Sequence, residues 1–149
     1  MVEVVSARIS TIAHATEDQG KVVQALESVF PPELGLRNPD KRRVKGHYGN
    51  EITTITLGVR GRSARSLFGH ILKKLPTADR ATLAREFESR LDDAGRLHMR
   101  LDKQACLLGE IRLGEQDPIK LELVLKETRT LGSDTHEKVG SLIESYPSV

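Results

Sequence analysis

The chain has 149 residues, 38% of them hydrophobic, with 23 basic and 21 acidic side chains and a formal net charge of +2; that length suffices for one domain with its own core, without disulfide or metal staples. Cys106 is the only cysteine, which excludes an intrachain disulfide framework, and no apolar run reaches the roughly 18 residues that a bilayer-spanning helix needs. The start Met1-Val2-Glu3-Val4-Val5 lacks the basic-then-apolar pattern of a secretory signal, so a cytoplasmic protein is expected.

From Val5 to Ala13 small and β-branched residues place Val5, Ala7, Ile9 and Ala13 on one parity and Arg8 and His14 on the other, which predicts a first strand. Thr16 and Gln19 have capping-box spacing, and Val22, Val23, Leu26, Val29 and Phe30 recur on one helical face until Pro31-Pro32 stops them, so a helix is expected over 17–30. Pro31 to Asp40, with three prolines and a glycine, reads as a loop. Lys41 to Tyr48 and the alternating Ile55, Leu57 and Val59 then form a hairpin about a tight turn at Gly49-Asn50.

After Gly61 the period changes. Ala64, Leu67, Phe68, Ile71, Leu72 and Leu75 predict a helix ended by Pro76, and Thr77 caps another with Leu83, Phe87 and Leu91 on its face, ending near Gly95. Leu97, Met99 and Leu101 alternate as a strand, Ile111 and Leu113 continue the parity up to Gly114, and Ile119, Leu121, Leu123 and Leu125 alternate again. Ser133 can cap a last helix carrying Val139, Leu142, Ile143 and Tyr146. The order β-α-β-β-α-α-β-β-β-α, with one-sided strands and amphipathic helices to cover them, predicts an α+β fold: a two-layer sandwich whose mostly antiparallel sheet is covered by helices. No repeat or interdomain linker interrupts residues 1–149, so one domain is expected.

The near-neutral total hides a polarity. Between Arg37 and Lys74 lie ten basic residues against two acidic ones, Asp40 and Glu51, a local charge of +8 that leaves the rest of the chain at −6. Concentrated positive charge favours polyanions. Arg37, Lys41, Arg42, Arg43 and Lys45 can present cations to phosphates, and His47 and Tyr48 add stacking surfaces beside them. A solvated basic loop with no partner accounts for the same residues. Arg60, Arg62 and Arg65 flank Gly61 where a strand hands over to a helix, and free N–H groups at such a junction can cradle a phosphate. The competing reading is a glycine turn with a Ser63 cap and exposed arginines. Only five aromatic residues are present and Trp is absent, so structured RNA, read through phosphate and shape, is the expected partner.

Catalytic patterns are missing. His14, His47, His70, His98 and His136 show no metal-ligand spacing, Gly58-Val59-Arg60-Gly61-Arg62 lacks the spacing and lysine of a nucleotide loop, and no nucleophile elbow occurs. Cys106 sits among apolar neighbours that dull a thiol. Glu86, Glu88, Asp92 and Asp93, mixed with Arg85 and Arg90, read as a solvated helix face. No cofactor, metal site or enzymatic activity is therefore expected.

Three stretches resemble a known family: Ile12-Ala13-His14-Ala15-Thr16-Glu17-Asp18, Gly46-His47-Tyr48-Gly49-Asn50, and above all Leu101-Asp102-Lys103-Gln104-Ala105 followed by Gly109-Glu110-Ile111-Arg112-Leu113. They look like archaeal RNA-binding proteins described as predicted exosome-associated subunits, and the likeness runs over nearly the whole chain. The resemblance implies RNA binding, an archaeal source, a link to RNA processing or ribosome assembly, and a fold similar to the large-subunit ribosomal protein that contacts 5S RNA. It carries no catalytic motif. Asp102-Lys103-Gln104 either caps a turn between strands or contacts RNA, and the structural role is the expected one.

Three functional readings follow. The first is a non-catalytic module docking structured RNA, with proteins of a processing complex as further partners. The second is a protein-interaction or scaffold subunit whose −6 remainder docks a basic partner. The third, a nuclease, has only Asp40, Glu51, His47 and His70 near the basic segment to work with.

Overall fold

The computed structural model describes residues 2–34, 39–45 and 49–127. Five strands, β1 (Val2–His14), β2 (Asp40–Lys45), β3 (Glu51–Arg60), β4 (Arg96–Leu101) and β5 (Ile119–Glu127), form one antiparallel sheet in the order β2-β3-β1-β5-β4. Five helices accompany them among the described residues: α1 (Gln19–Val29), α2 (Arg62–Lys74), α3 (Thr77–Arg85) and the short α4 (Phe87–Arg90) and α5 (Lys103–Leu107). The expected α+β class and layered architecture are what the chain adopts.

Alternation in the strands builds the core. Ala7, Ile9 and Ala13 of β1, Ile55, Leu57 and Val59 of β3, Leu97, Met99 and Leu101 of β4, and Ile119, Leu121 and Leu123 of β5 are all buried. Helix periodicity supplies the other layer, with Val22, Leu26 and Val29 of α1 and Leu67, Phe68, Ile71 and Leu72 of α2 buried against β1 and β3. Each fully buried leucine or isoleucine contributes about 1.5–3 kcal/mol. The opposite parity of every strand stays bare of helices, so the sheet has one covered and one open face.

Several local expectations are corrected. Asp18, not Thr16, caps α1: its carboxylate accepts from the Gly20 N–H at 2.8 Å. Gln19, expected to close a capping box, instead donates to the buried Thr53 hydroxyl at 3.0 Å. The single helix expected after Thr77 is two, because the chain turns at Glu86. The expected hairpin strands pair as far as Lys45 with Glu51.

The largest difference lies at 103–118. The strand expected at Ile111–Leu113 is one isolated bridge, Leu101 to Leu113, and a helix that periodicity did not reveal, α5, occupies 103–107. Asp102 caps it, accepting from the Ala105 N–H at 3.1 Å. The outward N–H of Leu113 donates to the Asp79 carboxylate at 3.1 Å, which closes that edge to further pairing. The helix expected after Ser133 lies outside the described residues. Among those described, no helix is long and apolar enough to cross a membrane.

Candidate nucleic-acid interface

The basic segment folds as an edge strand. All six residues of β2 are exposed, and β3 pairs with only one of its sides. Charged side chains are what keeps such an edge from recruiting another strand. Successive side chains alternate, so Lys41, Arg43 and Lys45 share the parity of Ile55, Thr53 and Glu51, while Arg42 shares that of Thr54 on the open face. The strand therefore shows cations on both faces. Arg42 lies 3.7 Å from the Asp40 carboxylate, a contact of two exposed groups worth little in water.

The second cluster sits where β3 passes into α2. Gly61 adopts φ +58 and ψ −128, a conformation glycine tolerates best, and its N–H donates to the Val5 carbonyl at 2.9 Å. The turn thus locks onto the bulge in β1, where the register shifts between Val4 and Ser6. Helix α2 begins at Arg62 with no side-chain cap, so Ser63 does not play the capping role that the competing sequence reading gave it. Arg65 pairs with Glu3 at 2.9 Å. Among the described residues no ion pair engages Lys41, Arg43, Lys45, Arg60 or Arg62.

The clusters both adjoin β3 without forming a compact site. Arg42 lies opposite Thr54, six residues before Arg60 in β3, which at about 3.3 Å per residue separates them by about 20 Å. Arg37, His47 and Tyr48 lie outside the described residues.

Charge on the open face went unnoticed in the sequence. Arg8, Arg60, Arg96, Arg100, Lys120 and Lys126 join Arg42 there, against Glu3, Asp40 and Glu122. The signal was present strand by strand, as cations on the polar parity of each alternating run.

Lys103 resolves the Asp102-Lys103-Gln104 motif. Its side chain is 4% exposed, and the ammonium donates to the Ile12 carbonyl at 3.0 Å and meets Glu17 at 3.1 Å and Asp117 at 2.7 Å. The motif thus caps α5 and ties it to the loops after β1 and before β5, a structural role. Burial opposes ionisation of Asp117, but hydrogen bonds from Lys103 and then His14 outweigh it and hold the carboxyl below its ordinary range. His14, Glu17 and Asp117 are close enough to share a cation, and the Lys103 ammonium already pairs with both carboxylates.

Three further titratable groups among the described residues depart from their ordinary range. Burial, with Asp102 nearby, pushes the Cys106 thiol up to about 12. Burial and the charge of Lys74 lower the pKa of half-buried His70, favouring its neutral ring. His98 meets Asp92 at 2.9 Å on the exposed side of β4, and that hydrogen bond lowers the pKa of Asp92.

A family model described as RNA binding matches residues 6–125. An RNA-binding protein of Pyrococcus abyssi is 31% identical over 137 residues, covering 82% of this chain and 89% of that protein. Among solved structures, an Archaeoglobus fulgidus protein of the DUF54 family is 30% identical with a TM-score of 0.75, covering 94% of this chain and 96% of that one. A DUF54 protein from Methanothermobacter thermautotrophicus is 28% identical with a TM-score of 0.74, covering 95% and 98%.

Proposed function

The chain belongs to this RNA-binding family, and from that premise we propose that it is a non-catalytic protein that docks structured RNA through phosphate contacts from Lys41, Arg42, Arg43, Lys45, Arg60, Arg62 and Arg65. The observation that carries the reading is the edge strand β2, wholly exposed and bearing cations on both faces. Each phosphate it neutralises releases condensed counterions, which gives strong, salt-sensitive binding with little sequence preference. Arg37, His47 and Tyr48 belong to the same proposed surface through their place in the sequence. Structured RNA is favoured over splayed bases because Phe68 and Phe87 are in the core and Phe30 packs against it, which leaves no aromatic platform on the described surface. We propose further that this activity serves RNA processing or ribosome assembly, in the cytoplasm, alongside proteins of such a complex.

Fluorescence anisotropy with a structured RNA across a salt series tests the reading. Log affinity should fall linearly with log salt, and the variant R42A/R43A/K45A should reduce the slope by about 0.9 for each phosphate it no longer neutralises. Absence of binding at low salt would overturn it and favour the scaffold reading. RNA breakdown abolished by a chelator would overturn the non-catalytic part.

A further inference from the structure

The proposed contacts use only Arg42 and Arg60 of the open face and leave the rest of it without an assigned role. Directly opposed residues of antiparallel strands share a face, and the register threads two rows across this one. Arg60 of β3 lies opposite Ser6 of β1, Ser6 opposite Val124 of β5, and Val124 opposite Arg96 of β4. One step along the strands, Gly58, Arg8, Glu122 and His98 make the next row.

Arg60 and Arg96 therefore stand on opposite banks, three strand spacings or about 14 Å apart. Between them the Ser6 side chain is short, and Gly58 in the adjoining row has none, which leaves the space unfilled. The outcome is an open trough of about 660 Å³, to which Arg8 and the Ser63 residue at the start of α2 also contribute. Its lining holds one carboxylate, Glu122, already engaged by Arg8 at 2.7 Å. That bond uses one of the five N–H donors of a guanidinium whose side chain is 65% exposed.

Three arginines around a floor of small residues suit a phosphate backbone more than a protein side chain or a base. Guanidinium forks match phosphate oxygens in pairs, no aromatic ring lines the trough to stack a base, and Val124 is the only large aliphatic side chain directed to it. We propose that this trough seats the phosphate backbone of structured RNA, with Arg8, Arg60 and Arg96 on the phosphates. The inference rests on the RNA reading above and extends the contact surface from the edge strand across the sheet to β4. It assigns binding roles to Arg8 and Arg96, which lie outside the basic segment.

Two variants test it by opposite routes. R8Q/R96Q removes cations. Gly58→Glu puts an anion on the trough floor, where a Cβ meets only the Ala7 carbonyl at an ordinary 3.8 Å. With an RNA hairpin as probe and circular dichroism confirming the fold, each should weaken binding about tenfold, and R8Q/R96Q should lower the salt slope by about 2. If R8Q/R96Q does not fold, Gly58→Glu alone reads the same surface. Unchanged affinity in folded variants, with the wild type bound and R42A/R43A/K45A impaired, overturns the trough and leaves the edge-strand reading standing. No binding by the wild type at low salt overturns both.

Discussion

Lys103 shows how a residue's role depends on what surrounds it. In the sequence it is one cation in a short motif; folded, it is buried between Glu17, Asp117 and the Ile12 carbonyl. Replacing it with methionine should cost about 2 kcal/mol in denaturant unfolding, less than for a wholly buried ion pair because Asp117 is itself 42% exposed. The Asp117 carboxyl, titrated by NMR in the same variant, should rise toward its ordinary value of 3.8. The sign follows from linkage: a depressed carboxyl contributes stability above its unfolded pKa, and that contribution is lost as pH falls through the folded value. K103M should therefore lose less stability on acidification than the wild type. An RNA-contacting Lys103 would instead give weaker RNA binding with unchanged stability.

At the scale of elements, residues 102–114 carry the sharpest constraint. The Asp102 N–H donates to the Arg112 carbonyl and the Gly114 N–H to the Arg100 carbonyl, so the chain doubles back against the end of β4. Gly114 is where the two segments pinch: a Cβ there would lie 2.9 Å from both Cα and Cβ of Asp102. Gly114→Ala must displace backbone, and a loss of about 2 kcal/mol in chemical denaturation is expected from such overpacking. Wild-type stability in this variant would mean that the pinch relaxes freely. The missed strand and the missed helix in this region share a cause. A five-residue helix is too short to show periodicity, and the parity of Ile111 and Leu113 reflects two side chains packed on the core rather than a ladder.

For the whole molecule, one contiguous cluster joins buried residues of β1, β3, β4 and β5 with those of the helices. This predicts a single cooperative unfolding transition, with backbone and side-chain probes coincident. Leu26, fully buried on the core face of α1, should on truncation to alanine lower stability by about 3 kcal/mol and move every probe together. Two separable transitions would break the expectation of one domain. The same topology sets the electrostatic layout, because helices cover one face of the sheet and leave the other to its polar parity.

Much of this was determined by the sequence alone. Alternation in β1, β3, β4 and β5 marked the buried parity, except at Val5, which the bulge turns outward in favour of Val4; the helical recurrence in α1 and α2 marked the covering layer, and the run from Lys41 to Lys45 marked the basic edge, all local patterns set by the geometry of a single element. Strand neighbours were not legible, since pairing joins residues as distant as Ser6 and Val124. Only that register brings Arg60 to one bank of the trough and Arg96 to the other, and only the loop packing closes Glu17 and Asp117 around Lys103. Tertiary structure decided these sites because their parts are contributed by separate segments, each unremarkable until backbone hydrogen bonding and core burial choose its neighbours.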